Sequence, residues 1–545
     1  MANKTTLKTR LMVSVCLLAI VSTAAGKIIH VDADATGANE GTSWADAYNF
    51  LQDALADANS SEKPVEIQVV QGVYTPDSNS AVPDGTGNRE ATFQLINGVT
   101  LKGGYAGFGE PDPNAHDIEL YETILSGDLN GDDANVADPI DLLGKPNRAE
   151  NSYHVVTASA TDETAILDGF TVTAGNANSP DYTNRNSKGG GMYNDRATPN
   201  ITNCAFIRNA VRWSGGGMYN RASSPTITNC TFAGNSAGDR SGGHGGGMYN
   251  APGSNPTLIH CTFRSNWAGQ GGGMSAICAG PTIRNSTFSD NSANFGGGMQ
   301  CKDCSNLMLT GCTFSGNSAH RGAGVEYINS SPMVTNCMFV ANSAGNYGGA
   351  ISIMNTSTPT LTNCTFTANS APEGHALACD SYQQRPSQLS VVNSILWNGG
   401  NEVVNKDGST ITITYSDVQC SGRWPWPGLG NIRTDPLFAD GTNDDFHLKS
   451  QAGRYDPNSQ TWVKDDVTSP CIDAGNPMSP IGHELFPNGG IINMGTYGGT
   501  PEASKSYFGE PVCETIVAGD INGDRVVNFK DFAFLSLHWL TDNSP

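Results

Sequence analysis

Between residues 201 and 370 one phrase recurs: ITNCAFIRN, ITNCTFAGN, LIHCTFRSN, IRNSTFSDN, LTGCTFSGN, VTNCMFVAN and LTNCTFTAN. The asparagines that close it are Asn209, Asn235, Asn266, Asn291, Asn317, Asn342 and Asn369, spaced by 26, 31, 25, 26, 25 and 27 residues. A second phrase, GGGM, runs in phase with it. It ends at Met192, Met218, Met248, Met274 and Met299, and continues in altered form to Val325, Ile351 and Leu377. Within each copy apolar and polar residues alternate over five or six positions, as in Ile227-Thr228-Asn229-Cys230-Thr231-Phe232. That is the period of a strand, with a bend at an asparagine able to take the left-handed conformation. The triple glycine marks a second corner where a side chain would clash. A unit of about 26 residues made of short strands cannot bury its apolar face alone. Stacking the units, each strand pairing with its copy in the next coil, solves the problem, and the expected fold is an all-β parallel β-helix.

Equivalent residues then lie about 4.8 Å apart, one above another. The inward columns are expected to be Ile201/Ile227/Leu258/Ile283/Leu309/Val334/Leu361, the phenylalanines from Phe206 to Phe366, and the series from Met192 to Leu377. Cys204, Cys230, Cys261, Cys312, Cys337 and Cys364 form a further column in which Ser286 and Ser394 replace cysteine. That exchange favours small buried thiols over bridges. Outside it lie Cys278, Cys301, Cys304, Cys379, Cys420, Cys471 and Cys513, whose oxidation state the sequence leaves open. Cys301-Lys302-Asp303-Cys304 has no second pair to complete a zinc site, and a local disulfide with Cys278 is the alternative expected there.

The ends differ from the middle. Residues 1–25 carry Lys4, Lys8 and Arg10, a short apolar run and an A-x-A-like site, and are expected to be a signal peptide. No later stretch is apolar enough to cross a membrane as a helix. Loss of three basic and no acidic residues takes the formal charge from −22 to −25, a balance that repels nucleic acid. Residues 26–91 read as an N-terminal cap with a helix starting at Ser43 and running to about Asp57, where Ser43 and Asp46 suggest a capping box. The β-helix is expected over residues 92–510, regular from 186 to 398 and closed by a cap at 431–505. In residues 515–545, Asp520, Asn522, Asp524, Val526, Asn528 and Asp531 stand at positions 1, 3, 5, 7, 9 and 12 of a calcium loop, before a short α-helix. Arg525 replaces the usual glycine of such a loop. Asp128, Asn130, Asp132 and Asp133 echo its beginning only.

Three resemblances follow from these residues. The F-x-x-N and G-G-[AG]-[ILMV] phrases resemble the repeats of chlamydial polymorphic outer-membrane proteins, which implies adhesion. HVDADATGANEGTSWADAYNFLQDAL resembles the N-terminal cap, and DPLFADG to NMGTYGG the closing region, of pectate-lyase-like single-stranded right-handed β-helix proteins, which implies polysaccharide cleavage. Residues 520–540 resemble half of a type I dockerin, which implies bound Ca2+ and a cohesin-like or cell-surface protein partner.

Catalytic residues are not identifiable. Asp195, Asp239, Asp290, Asp303, Glu326 and Glu373 fall at different phases of the repeat, so they do not predict the paired carboxylates of a glycosidase. His244, in Gly243-His244-Gly245, lies in the glycine corner. Tyr193, Tyr219 and Tyr249 follow the inward methionines and are expected to stack outward in a column, with Arg196 and Arg221 beside it. Such a face suits sugar rings and uronate carboxylates, and the plainer alternative is a cross-coil ladder that only stiffens the sheet. The function expected is an extracellular or cell-surface protein for adhesion or polysaccharide binding, non-catalytic. The alternative is a polysaccharide lyase or glycoside hydrolase acting on acidic polysaccharide.

Overall fold

The computed structural model describes residues 26–239, 242–381, 385–422 and 425–509. Each coil visits up to four parallel sheets in turn. Sheet I has thirteen strands from Lys27–Val31 to Thr410–Thr414, and sheet II twelve from Gly72–Tyr74 to Asp417–Val418. Sheet III has seven from Asn176–Ala177 to Ser343–Tyr347, and sheet IV eleven from Phe93–Gln94 to Val403–Asn405. Every pairing in these sheets is parallel and joins one coil to the next, so the molecule is a parallel β-helix.

The expected columns form with the expected register. Ile227 pairs with Leu258, Phe232 with Phe263 and Met248 with Met274, all without solvent exposure. The seven phenylalanine rings stack 4.6–5.0 Å apart and within 6° of parallel. That spacing is the strand separation imposed on side chains whose rotamer the backbone repeats. Corners follow the sequence as well. Asn203, Asn229, Asn285, Asn336 and Asn363 turn between sheets I and II with φ of 48–53°. A Cβ added to Gly216 would stand 2.4 Å from Gly246 O, and on Gly297 2.6 Å from Ala323 O.

Between sheets II and III the asparagines turn inward and join into one chain. Asn291 Nδ2 donates to Phe263 O at 2.9 Å in the preceding coil and to Asn317 Oδ1 at 3.0 Å in the next, and Asn291 N–H donates to Asn317 Oδ1 as well. The same bonds recur at Asn209, Asn235, Asn266, Asn317 and Asn342. The Cys/Ser column works alike. Cys261 N–H donates to Ser286 Oγ at 3.0 Å, Cys312 N–H to Cys337 Sγ at 3.4 Å and Cys364 N–H to Ser394 Oγ at 3.1 Å. Sulfur and hydroxyl oxygen accept the same bond, which is why the two residues exchange. Cys337→Ser is therefore expected to change stability by no more than about 1 kcal/mol, checked by urea unfolding.

The twelve described cysteines are unbridged, which corrects the local disulfide expected around Cys278. Cys301 points into the core from sheet IV, and Cys304 N–H donates to Ser330 Oγ at 3.0 Å in a second Ser/Cys column, while Cys278 is exposed. The N-terminal helix is also shorter than expected, spanning Leu51–Ser60. Ser43 and Asp46 do exchange hydrogen bonds, at 2.9 and 3.1 Å, but they close a loop in which Asp46 also accepts from Ala38 N–H. Extended backbone at Phe50 separates that loop from the helix. Trp44 serves the core from the loop, packed on Val70 and Tyr105. Leu51, Ala54, Leu55 and Ala58 face the first coil and close its end.

Beyond sheet I the chain folds back. Phe438–Asp440 pairs antiparallel with Asp445–Leu448, and Arg454–Asp456 with Thr461–Val463. Ile395, Leu448, Cys471, Ile472 and Met494 form a small separate core beneath this cap. No helix among the described residues is long and apolar enough to cross a membrane.

Candidate functional site

The three tyrosines do stack. Tyr193 and Tyr219 are 5.2 Å apart and 10° from parallel, Tyr219 and Tyr249 5.4 Å and 18°. The rings spend their faces on one another, however. Tyr193 and Tyr219 are only 8% and 7% exposed, so what they offer solvent is an edge. The cover comes from the glycine corner. Gly189 and Gly215 take positive φ and fold back over the start of the same strand, within about 3 Å of where their own Cβ would meet Tyr193 and Tyr219. His154 lies 5.1 Å from Tyr193 and His244 5.8 Å from Tyr249, closing the two ends of the column. Burial pushes the His154 imidazole down to about 4 and the Tyr249 phenol up to about 12. His244 is likewise pushed down by burial and its Nδ1 has no partner, so it is not set up as a carboxylate-paired base.

Charge surrounds this column. Lys188 Nζ sits 5.8 Å over the Tyr219 ring, its pKa lowered first by burial and then by Arg221. Arg196 and Arg221 share one carboxylate, Asp195, at 3.5 and 3.2 Å, and both remain mostly exposed, at 75% and 58%. Two exposed aromatic rings lie on the neighbouring edge: Trp213 meets Tyr182 edge to face at 6.3 Å. Trp213 lies between Arg212 and the strip Lys188–Ser214–His244 that bridges successive coils. Sequence reasoning missed Tyr182, Arg185, Lys188, Arg212 and Trp213, although a signal was there. Residues 185–221 hold six Lys or Arg and a single acidic residue, Asp195, in a chain of net charge −22.

A cleft of about 660 Å³ opens beside Arg212, lined by Asp141, Leu143, Lys145 and Asp239. Its outer wall is the excursion 128–150, held down by the buried Arg148. That guanidinium pairs with Asp133 at 2.6 Å and donates to Gly175 O and Arg208 O. Asp128, Asp132, Asp133 and Glu150 gather at the base of the excursion, each with a carboxylate oxygen within 4.8 Å of the others'. Burial raises the pKa of Asp133 and Glu150. Of the scattered carboxylates, Glu326 is buried against Arg321 at 3.1 Å and Glu373 pairs with Lys406 at 2.6 Å. Asp290 and Asp303 occupy positive-φ corners. The expected calcium loop, from Asp520 to Asp531, and the expected signal peptide, residues 1–25, lie outside the described residues.

One family match agrees with the fold. The family described as right handed beta helix region matches residues 192–366 and, overlapping, 268–418. A second family, described as disaggregatase related, matches residues 427–475. No curated protein matches. Among solved structures, a pectate lyase, Pel9A, is 14% identical with a TM-score of 0.37, over 87% of this chain and 96% of that one. A rhamnogalacturonan lyase is 12% identical with a TM-score of 0.28, over 82% and 96%.

Proposed function

We propose that this chain is an extracellular or cell-surface β-helix that binds acidic polysaccharide along residues 182–221 without cleaving it. The proposal rests on one observation: the cationic band of Lys188, Arg196, Arg212 and Arg221, beside the exposed Trp213 and Tyr182, on a protein that is otherwise strongly acidic. Guanidinium groups pair with uronate carboxylates, and an exposed indole offers a face to a sugar ring. The stacked Tyr193, Tyr219 and Tyr249 stiffen the sheet beneath and add hydroxyl edges. The tail at 515–545 is read as a calcium-binding, dockerin-like module for a cohesin-like or cell-surface protein partner, with Asp520, Asn522, Asp524, Val526, Asn528 and Asp531 as ligands. The N-terminal segment is read as an export signal.

Affinity electrophoresis in gels containing acidic or neutral polysaccharides tests this. Retardation by acidic polymers is expected, weakening with salt. The double variant Arg196→Glu/Arg221→Glu and Trp213→Ala are each expected to weaken retardation at least about tenfold, with unchanged circular dichroism. Retardation that survives both changes rejects the band as the site. The cleft favours a second reading, a polysaccharide lyase, because Lys145 and Arg212 line it together with Asp141 and Asp239. New reducing ends or absorbance from unsaturated uronates, lost in Lys145→Ala, would establish that reading instead.

A further inference from the structure

The fold-back cap is held on the last coils by polar bonds. Asn336 Nδ2 donates to Thr496 O and Gly498 O, both at 2.8 Å. Thr496 N–H donates to Thr365 Oγ1 at 2.9 Å and Asn476 N–H to Asn393 Oδ1 at 2.7 Å. Three carboxyl groups lie in or near this seam. Asp417, on the last strand of sheet II, is fully buried and accepts from Thr434 N–H at 3.2 Å and Cys471 Sγ–H at 3.3 Å. Asp473 accepts from Ser506 Oγ–H at 2.8 Å and is cradled by Gly489. Glu484 accepts from Asn493 N–H and Gly499 N–H, both at 2.8 Å, while its other oxygen is buried without a partner.

Among the described residues, no Lys, Arg or His lies within ion-pair distance of any of the three. The groups that do face them are acidic or neutral: Asp435 and Cys471 toward Asp417, and Asp473 toward Glu484. The cap's Arg454 and His447 are engaged with Asp445, Asp465 and Glu502. We propose that residues 427–506 form an acid-set clasp, seated on the coils while Asp417, Asp473 and Glu484 carry protons and loosened as they ionise.

The sign follows from proton binding. Burial pushes Asp417 and Asp473 up to about 6 and Glu484 up to about 7, above their values in an unseated chain. The seated form therefore binds more protons across that interval. Its stabilisation is complete below the ordinary carboxylate range and is lost as pH rises through about 6 to 7. The proposal is independent of the glycan-binding reading.

Hydrogen exchange of the full chain at pH 5 and pH 8, corrected for intrinsic exchange, tests it. The amides of Met494, Gly495 and Thr496 are expected to lose protection at least about tenfold at pH 8 relative to those in the coils at 257–315. Asp417→Asn, Asp473→Asn and Glu484→Gln combined, which keeps all three groups neutral, is expected to abolish that difference, and Glu484→Gln alone to reduce it. Equal protection at the two pH values in the parent chain, or an undiminished loss in Glu484→Gln, overturns the proposal.

Discussion

Asn317→Ala is expected to destabilise the stack by about 3 kcal/mol or more. The side chain has no solvent exposure and makes four bonds. Its Nδ2 donates to Phe288 O at 2.8 Å and Asn342 Oδ1 at 2.9 Å, and its Oδ1 accepts from Asn291 N–H and Nδ2, both at 3.0 Å. Alanine strands the Phe288 carbonyl and the Asn291 N–H, two buried groups of the preceding coil. Aspartate, which could accept both bonds but donate neither, should be worse than alanine because it adds an unpaired buried charge. Urea unfolding followed by circular dichroism measures the loss. A change below 1 kcal/mol would show that the asparagine chain is incidental to stability.

Gly297→Ala is expected to cost about 3 kcal/mol, with Gly144→Ala as its control. A methyl on Gly297 would stand 2.6 Å from both Ala323 O and Ser318 O. Ala323 O cannot recede freely, because Gly298 N–H donates to it at 2.9 Å. Nothing lies within 4 Å of the same atom on Gly144, where the change should be nearly neutral. Thermal unfolding of the two variants gives the comparison directly. Equal melting temperatures would mean that the coils can move apart at this corner without losing their pairing.

Much of the architecture could be read from residue order because each coil contacts chiefly its two neighbours, so a local phrase determines a local structure. The columns at Phe206–Phe366 and Met192–Leu377 are consequences of period alone. Three features depended on longer reach. Ser43 and Asp46 pair as a capping box does, yet the backbone after them stays extended to Phe50, a choice made by Trp44 reaching Val70 and Tyr105. The tyrosine column stacks as expected, but its covering comes from glycines four residues earlier that double back. The cap grips Asn336, Asn363 and Asn393 from more than 80 residues away, and no periodic signal announces such a contact. The cationic band needed only a running count of charge against a −22 background.

The asparagine chain has a direction. Every Nδ2 passes its second hydrogen to the next coil's Oδ1, so each amide receives from one side and gives to the other. Such a series can be lengthened by whole coils without limit, but it cannot end on another amide without leaving a donor unspent. It ends at Asn398, whose Nδ2 and N–H meet the two oxygens of Glu402 at 2.5 and 2.7 Å. A carboxylate accepts and asks for nothing in return. Glu402 is thus a full stop for the asparagine chain alone, in a grammar of otherwise open-ended repeats, while sheets I and II run on to Thr410–Thr414 and Asp417–Val418.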